Sequence, residues 1–448
     1  MLKDYKWKFN TVNQLHIELS TYCNAACPMC PRTVQLSDGS SLPNVRPDLI
    51  LESISIENFK KWFPPSFVPQ IRMWLFCGTH GDPMMNKDIL EILKYLCEYE
   101  NTIFINTNGG MRTPAFWSEV GELFSKNLSY TRQRQITFSM DGLWDTNHLY
   151  RRNVSFEKAI TNAKAFIDAG GQANWDFLIF KQNEHQIEEA ATLASKLGFK
   201  YFVPKKALGF QVMDNSEDVG RLKGKVCRDS EGNIEHIIDP PSMKNTNFVG
   251  DGNNIKDVLV PTAEPQINAK EIMEGLKTYD NSWKSKEGVY EHIKQTYKLR
   301  EEEECTDVVC KSHVSTEGHA GTHMHEVYID AYGNVFPCCY VGTAYHGKFG
   351  TMSGMQLGLT IDNYGLDKIS LKNHTLQEIV DGNYLQTVFE DAWGKPSLEA
   401  GALLYCNETC GNKSKIDNIY THELDVRPGN KKIQNAVKEQ RKQLKILS

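Results

Sequence analysis

The stretch Leu15-His-Ile-Glu-Leu-Ser-Thr-Tyr-Cys23-Asn-Ala-Ala-Cys27-Pro-Met-Cys30 joins two signals. Leu15 to Ser20 is a short, mostly apolar run of the kind that forms a buried strand, and three cysteines follow it on one bend. Parallel α/β architectures place their sites at this edge, the C-terminal end of a strand. Three thiolates are one short of the four that complete an ordinary iron–sulfur cube or a structural zinc site. The bend therefore implies a metal centre with one open position.

Outward from this bend, short apolar runs alternate with helical patterns. Strands are expected at Leu15 to Ser20, Ile71 to Cys77, Thr102 to Thr107, Gln135 to Met140, Ala173 to Phe180 and Lys200 to Pro204. Between them, Ile89, Ile92, Leu93 and Leu96, and then Ile187, Ala190, Ala191, Ala194 and Leu197, recur at the spacing of one buried helix face. Repeated strand and helix units predict an α/β fold with a parallel sheet, open or a partial barrel. Past about residue 210 the alternation fails. Residues 211–300 read as a polar insertion or linker, 301–415 as a cysteine-rich domain, and 416–448 as a basic tail. From Arg427 to Ser448 the tail has seven Lys or Arg against one Glu, as a solvated terminal helix does.

Composition narrows the functional classes. The 448 residues are long enough for two or three folding units, and 40% apolar against 24% charged residues is an ordinary globular balance. A net charge of −6 argues against a nucleic-acid partner. No apolar run approaches the ~18 residues of a membrane span, and the start MLKDYKWKFN lacks the apolar stretch of a secretory signal. A cytoplasmic protein without a membrane partner is expected. In that reducing compartment, twelve cysteines, nine of them in two groups, point to metal binding or chemistry rather than bridges.

Further polar segments stand at the expected strand ends. Cys77-Gly-Thr-His80-Gly81-Asp82-Pro83 follows the second, Thr107-Asn108-Gly109-Gly110 the third and Ser139-Met140-Asp141-Gly142 the fourth, with Tyr150-Arg151-Arg152 beyond it. Short polar side chains followed by glycine suit close backbone approach to a ligand, and equally a plain turn. In the C-terminal half, Cys305, Cys310, Cys338, Cys339, Cys406 and Cys410 surround a hairpin signal at Ala331-Tyr332-Gly333-Asn334.

The Cys23-x3-Cys27-x2-Cys30 loop after the first strand resembles the radical S-adenosylmethionine enzymes over roughly residues 12–210. The resemblance implies a partial (β/α)6 TIM-like barrel, a [4Fe–4S] cluster on Cys23, Cys27 and Cys30, and S-adenosylmethionine bound at the open iron. It also implies reductive cleavage to a 5′-deoxyadenosyl radical that takes hydrogen from a peptide or small-molecule substrate, with a flavodoxin- or ferredoxin-like electron donor. Asp82 would stand for the family's Glu near the methionyl ammonium, and Ser139 and Asp141 would approach the cofactor. An arginine, Arg152 in preference to Arg151, would meet its carboxylate.

The later cysteines resemble a twitch or SPASM extension holding an auxiliary iron–sulfur cluster, with Cys310, Cys338, Cys406 and Cys410 as the ligand choice. Cys305 could replace Cys406, and Cys339 is a spare. A full SPASM pattern is absent, so one auxiliary cluster is expected rather than two. Cys77, Cys97 and Cys227 read as buried or incidental thiols, and His319, His323 and His325 as an exposed loop. The competing class is a noncatalytic zinc-bound interaction protein, with His16 or His80 completing the Cys23, Cys27 and Cys30 site. Phosphate-loop and hydrolase-elbow motifs are missing.

Overall fold

The structure is a computed structural model. It describes residues 7–36, 38–126, 132–207, 210–212, 222–242, 308, 310, 325–347, 352–397, 400–411 and 424–425. Its principal strands are β1 (Gln14–Ile17), β2 (Thr33–Gln35), β3 (Ser41–Val45), β4 (Met73–Phe76), β5 (Thr102–Thr107), β6 (Arg134–Ser139), β7 (Gln172–Ile179), β8 (Tyr201–Lys206), β9 (Lys225–Arg228), β10 (Ile234–Ile238), β11 (Glu326–Ile329) and β12 (Val335–Phe336). Its principal helices are α1 (Ile56–Trp62), α2 (Ile89–Cys97), α3 (Pro114–Ser125), α4 (Phe156–Asp168), α5 (Ile187–Leu197), α6 (Cys339–His346), α7 (Met352–Tyr364), α8 (Leu376–Asp381) and α9 (Leu404–Cys410). The six strands expected in the first half all form, each within a few residues of its expected ends.

The chain divides into two compact units. The first comprises residues 1–22, 48–103 and 275–417, and the second residues 23–47, 104–274 and 418–448. In the first, β1 runs parallel to both β4 and β11, pairing Ile17 with Phe76 on one side and Ile329 on the other. β11 turns back antiparallel to β12, pairing Tyr328 with Phe336. Alternation along β1 and β4 sends Leu15, Ile17, Trp74 and Phe76 into an aromatic core with Phe59 and Phe63 of the α1 segment, all fully buried. Phe59 and Phe63 meet edge to face at 4.9 Å, a favourable geometry for paired aromatic quadrupoles. The opposite face of β1 carries His16 and Glu18, both buried.

In the second unit, β6, β7 and β8 are parallel, with Ser139 opposite Asp176 and Ile179 opposite Lys206. α3 and α4 cover this sheet. Trp117, Phe124, Phe138 and Phe166 form its buried aromatic centre, with Trp117 and Phe138 rings 5.1 Å apart. A smaller sheet orders β10-β9-β3-β2, so residues 225–228 and 234–238, within the stretch read as a polar insertion, are strands. Much of the remainder of that stretch, the basic tail beyond residue 425, Cys305, His319 and His323 lie outside the described residues. Among the described residues no helix is long and apolar enough to cross a membrane.

Candidate active site

The cysteine bend belongs to the second unit. Its turn is closed by Cys30 N–H donating to Cys27 O at 3.0 Å, and by Thr33 Oγ1 donating to the Cys27 and Cys30 carbonyls at 3.1 and 2.8 Å. Backbone groups are thereby satisfied internally, leaving the thiols as the groups the bend presents. Three donors are directed at sulfur. Ala25 N–H lies 3.4 Å and Asn108 Nδ2 3.7 Å from Cys23 Sγ, and Arg151 Nη1 lies 3.9 Å from Cys27 Sγ. Hydrogen bonds of this kind favour thiolate and tune a cluster's potential.

An apolar shell surrounds the bend: Tyr150, Val154, Phe180, Ala207 and Ile238 pack with Cys27, and Cys23 and Cys30 pack against them. Burial pushes the Cys27 thiol up, partly countered by Arg151, and pushes Cys30 up to about 12 with help from the nearby Cys27 sulfur. A metal must therefore displace thiol protons here. Cys227 is fully buried in the same shell, so this thiol is a core residue of the site's wall.

The strand-end segments of this unit behave differently from one another. Asn108 bonds Asn24 Oδ1 at 2.9 Å and accepts Gly110 N–H at 2.8 Å, tying the end of β5 to the cysteine bend. A Cβ at Gly110 would meet Asn24 Nδ2 at 2.9 Å, so this close approach needs glycine. Ser139 ends β6, half-buried. Asp141 is 1% exposed; it accepts Leu178 N–H at 2.6 Å and Arg151 Nε at 2.5 Å. Burial pushes its carboxyl up and Arg151 pulls it down, with the upward direction prevailing. Gly142, at φ 143°, turns the chain away after it.

Of the two adjacent arginines, Arg151 faces the cysteine bend and Asp141. Arg152 donates to the Arg228 carbonyl at 2.9 Å and pairs with Glu235, on the β9–β10 hairpin. Adjacent side chains leaving the same backbone in different directions explain the split, which spacing alone does not reveal.

In the first unit, the segment after β4 is tightly folded. A Cβ at Gly81 would lie 1.9 Å from Ser20 O, and one at Gly78 1.9 Å from Gly81 O. Asp82 is 4% exposed, and its Oδ1 caps the following turn by accepting Met84 N–H at 2.9 Å. Glu18, absent from the sequence-derived site, proves central to this segment. Fully buried, it accepts His80 N–H at 2.6 Å, Gly81 N–H at 2.9 Å, Thr79 Oγ1–H at 2.9 Å and Tyr328 O–H at 2.8 Å. Burial by itself raises its pKa, but the bonds and charge from His80 and the bond from Tyr328 pull it down to about 2. The sequence signal was an acid on a strand otherwise read as buried.

Also in the first unit, Cys310, Cys338, Cys406 and Cys410 line one small pocket with Trp393 and Tyr405. α9 carries Cys406 and Cys410 four residues apart, hence on one face. The bridge between Val308 and Gly411 brings the Cys310 segment to the end of that helix. Cys338 follows the hairpin β11–β12, whose turn is held by Asp330 accepting Tyr332 and Asn334 N–H at 3.0 and 2.7 Å. Burial, with Cys310 and Cys339 nearby, pushes the Cys338 thiol well up, and burial with Cys410 pushes Cys406 up to about 12. Cys339 does not line the pocket; its thiol lies beside His16.

Both cysteine groups supply the donor chemistry an iron–sulfur centre needs: three thiols with sulfur-directed donors in an apolar shell, and four thiols around one pocket. Among the described residues no three His, Cys, Asp or Glu side chains are gathered tightly enough to hold a single metal ion.

Residues 17–194, under half of the chain, match the family model of the Radical SAM superfamily. Members of that superfamily are iron–sulfur enzymes that use S-adenosylmethionine. Solved structures that align with this chain include Streptococcus suis SuiB bound to S-adenosylmethionine, with 12% identity, a TM-score of 0.37, and coverage of 74% of this chain and 61% of SuiB. The same SuiB bound to the precursor peptide SuiA aligns at 15% identity and TM-score 0.34, covering 73% and 60%. Native anSMEcpe with bound AdoMet aligns at 13% identity and TM-score 0.41, covering 95% of each chain. The chain thus spans about 61% of the length of SuiB. The comparison with curated proteins gives no match.

Proposed function

We propose that this protein is a radical SAM enzyme that reductively cleaves S-adenosylmethionine and uses the resulting 5′-deoxyadenosyl radical to abstract hydrogen from a peptide or small-molecule substrate. The carrying observation is the Cys23, Cys27 and Cys30 bend inside the matched domain, its thiols walled by apolar side chains and approached by Arg151. Bound there, a [4Fe–4S] cluster supplies the electron for reductive cleavage, and the protein aims and shields it. Cys23, Cys27 and Cys30 would hold that cluster and, being three thiolates, would leave an open position for the cofactor.

The remaining roles fall to this chain's own residues. Arg151, locked by Asp141, keeps a cation against Cys27 and favours its thiolate form. Tyr150, Val154 and Phe180 exclude water from the bend, which protects a radical from quenching. Asp82 is assigned to the methionyl ammonium, Ser139 and Asp141 to the approach to the cofactor, and Arg152 to its carboxylate. Since Arg152 is engaged with Glu235, its adjacent Arg151 is the nearer guanidinium to the cysteine bend. Cys310, Cys338, Cys406 and Cys410 hold an auxiliary cluster, supported by their shared pocket, in a C-terminal twitch- or SPASM-like domain. A flavodoxin- or ferredoxin-like protein delivers the electron. The zinc-bound interaction protein is the disfavoured alternative, since residues 17–194 match an enzyme superfamily.

The decisive experiment is anaerobic reconstitution with iron and sulfide, reduction, and assay of S-adenosylmethionine. Brown protein that forms 5′-deoxyadenosine, and a Cys30→Ala variant that forms none, is the expected result. Colourless zinc protein, or cleavage retained in the variant, overturns the reading.

A further inference from the structure

Trp393 lines the pocket of Cys310, Cys338, Cys406 and Cys410 without being a metal ligand itself. Residues Leu385–Glu390 form a π-helix that runs directly into the short α-helix Asp391–Trp393. The wider π turn rotates whatever follows it relative to an unbroken α-helix, and such turns are rare and concentrate at functional sites. The Trp393 carbonyl accepts Val308 N–H at 3.2 Å, and Val308 also bridges to Gly411, the residue after α9. One residue therefore holds the Cys310 segment through its backbone and meets the helix of Cys406 with its ring.

The ring makes a specific polar contact. Its Nε1 is shut off from solvent, and its N–H is directed at the Cys406 thiol. Burial raises that thiol's pKa, the hydrogen bond from Trp393 lowers it, and Cys410 raises it. An indole N–H can only donate, so it offers the sulfur a donor in every state. Sulfur bound to iron carries more negative charge once a cluster gains an electron, and a donor fixed on it is then held more tightly. Such a bond favours the reduced form, and hydrogen bonds to sulfur are among the factors that set a cluster's potential. The burial of Cys310, Cys338 and Cys406 acts the other way, since it disfavours added charge.

We infer that Trp393 is a positioning residue of the auxiliary centre: its indole N–H donates to the Cys406 sulfur and raises the reduction potential of a cluster held by Cys310, Cys338, Cys406 and Cys410. This rests on the auxiliary cluster of the proposed function and gives that centre a residue outside its ligands. No bond is made or broken, and the proton stays on the ring.

The test uses the reconstituted full chain, poised electrochemically without oxygen at a series of potentials and followed by electron paramagnetic resonance. Wild type should show two one-electron steps, and the step missing from a Cys338→Ala, Cys410→Ala variant belongs to the auxiliary cluster. Trp393→Phe keeps an aromatic ring and loses the N–H. It should keep its iron and shift the auxiliary step about tenfold toward the oxidised form, a potential lower by about 59 mV for one electron, with the other step unmoved. In wild-type protein carrying nitrogen-15 in its indole rings, the reduced auxiliary cluster should show a nitrogen-15 coupling. Two steps in wild type with the auxiliary one shifted less than about twofold in Trp393→Phe, or no such coupling in wild type, overturns the inference alone. Should Trp393→Phe lose its auxiliary iron, the wild-type coupling decides: its presence upholds the donor and its absence overturns it. A single step in wild type, with iron for one cluster, overturns the auxiliary cluster itself and the inference with it.

Discussion

Single residues decide how charge is stored in this protein. Buried Asp141 and partly buried Arg151 form a pair within reach of Cys27, and truncating one partner strands the other. Asp141→Ala is expected to lower stability by about 3–5 kcal/mol, measured by denaturant unfolding of the metal-free protein, whereas a change below about 1 kcal/mol would show that Arg151 finds water instead. Glu18 gives a pH signature. Its folded pKa of about 2 lies below the unfolded value of about 4.3, so its contribution is fully present above that unfolded value. As pH falls from about 4.5 toward 2 the contribution is lost. Stability of wild type should therefore decline through that window more steeply than stability of Glu18→Gln, measured by acid titration of unfolding. Parallel acid limbs would contradict the depressed carboxyl.

Among the elements, α4 shows how local sequence sets the frame around the site. Ser155 caps it by accepting Lys158 N–H at 3.2 Å, and Phe156, Ala159, Ala163 and Phe166 form its buried stripe. Asn162 on the same face donates to the Gly109 and Met111 carbonyls at 2.8 and 3.1 Å, fixing the chain just past β5. Ser155→Ala should cost about 1 kcal/mol, seen as a lowered midpoint in thermal unfolding, without altering iron content. α9 shows the other use of helical period: its four-residue spacing puts Cys406 and Cys410 on one face, where a pair on a strand would need an even register to do the same.

At the scale of the whole molecule, two cysteine groups sit in two separately packed units. Replacing Cys338 and Cys410 together by Ala should lower iron and acid-labile sulfide by about half while Cys23, Cys27 and Cys30 keep theirs. Iron content unchanged in that variant would remove the auxiliary cluster. Sequence by itself determined the six strands of the first half, two of its helices and its three-thiol bend, because periodicity, chain-neighbour spacing and turn chemistry act over a few residues. It also brought out the four thiols that line one pocket. Only the tertiary structure decided which of Arg151 and Arg152 turns toward Cys27, that Asp82 caps a turn, and that Glu18 ties Gly81 to Tyr328. Glu18 and Tyr328 are 310 positions apart in the chain. Contacts at that separation are set by how strands pair and pack, and the directions of individual side chains in a buried network follow from that packing rather than from any local pattern.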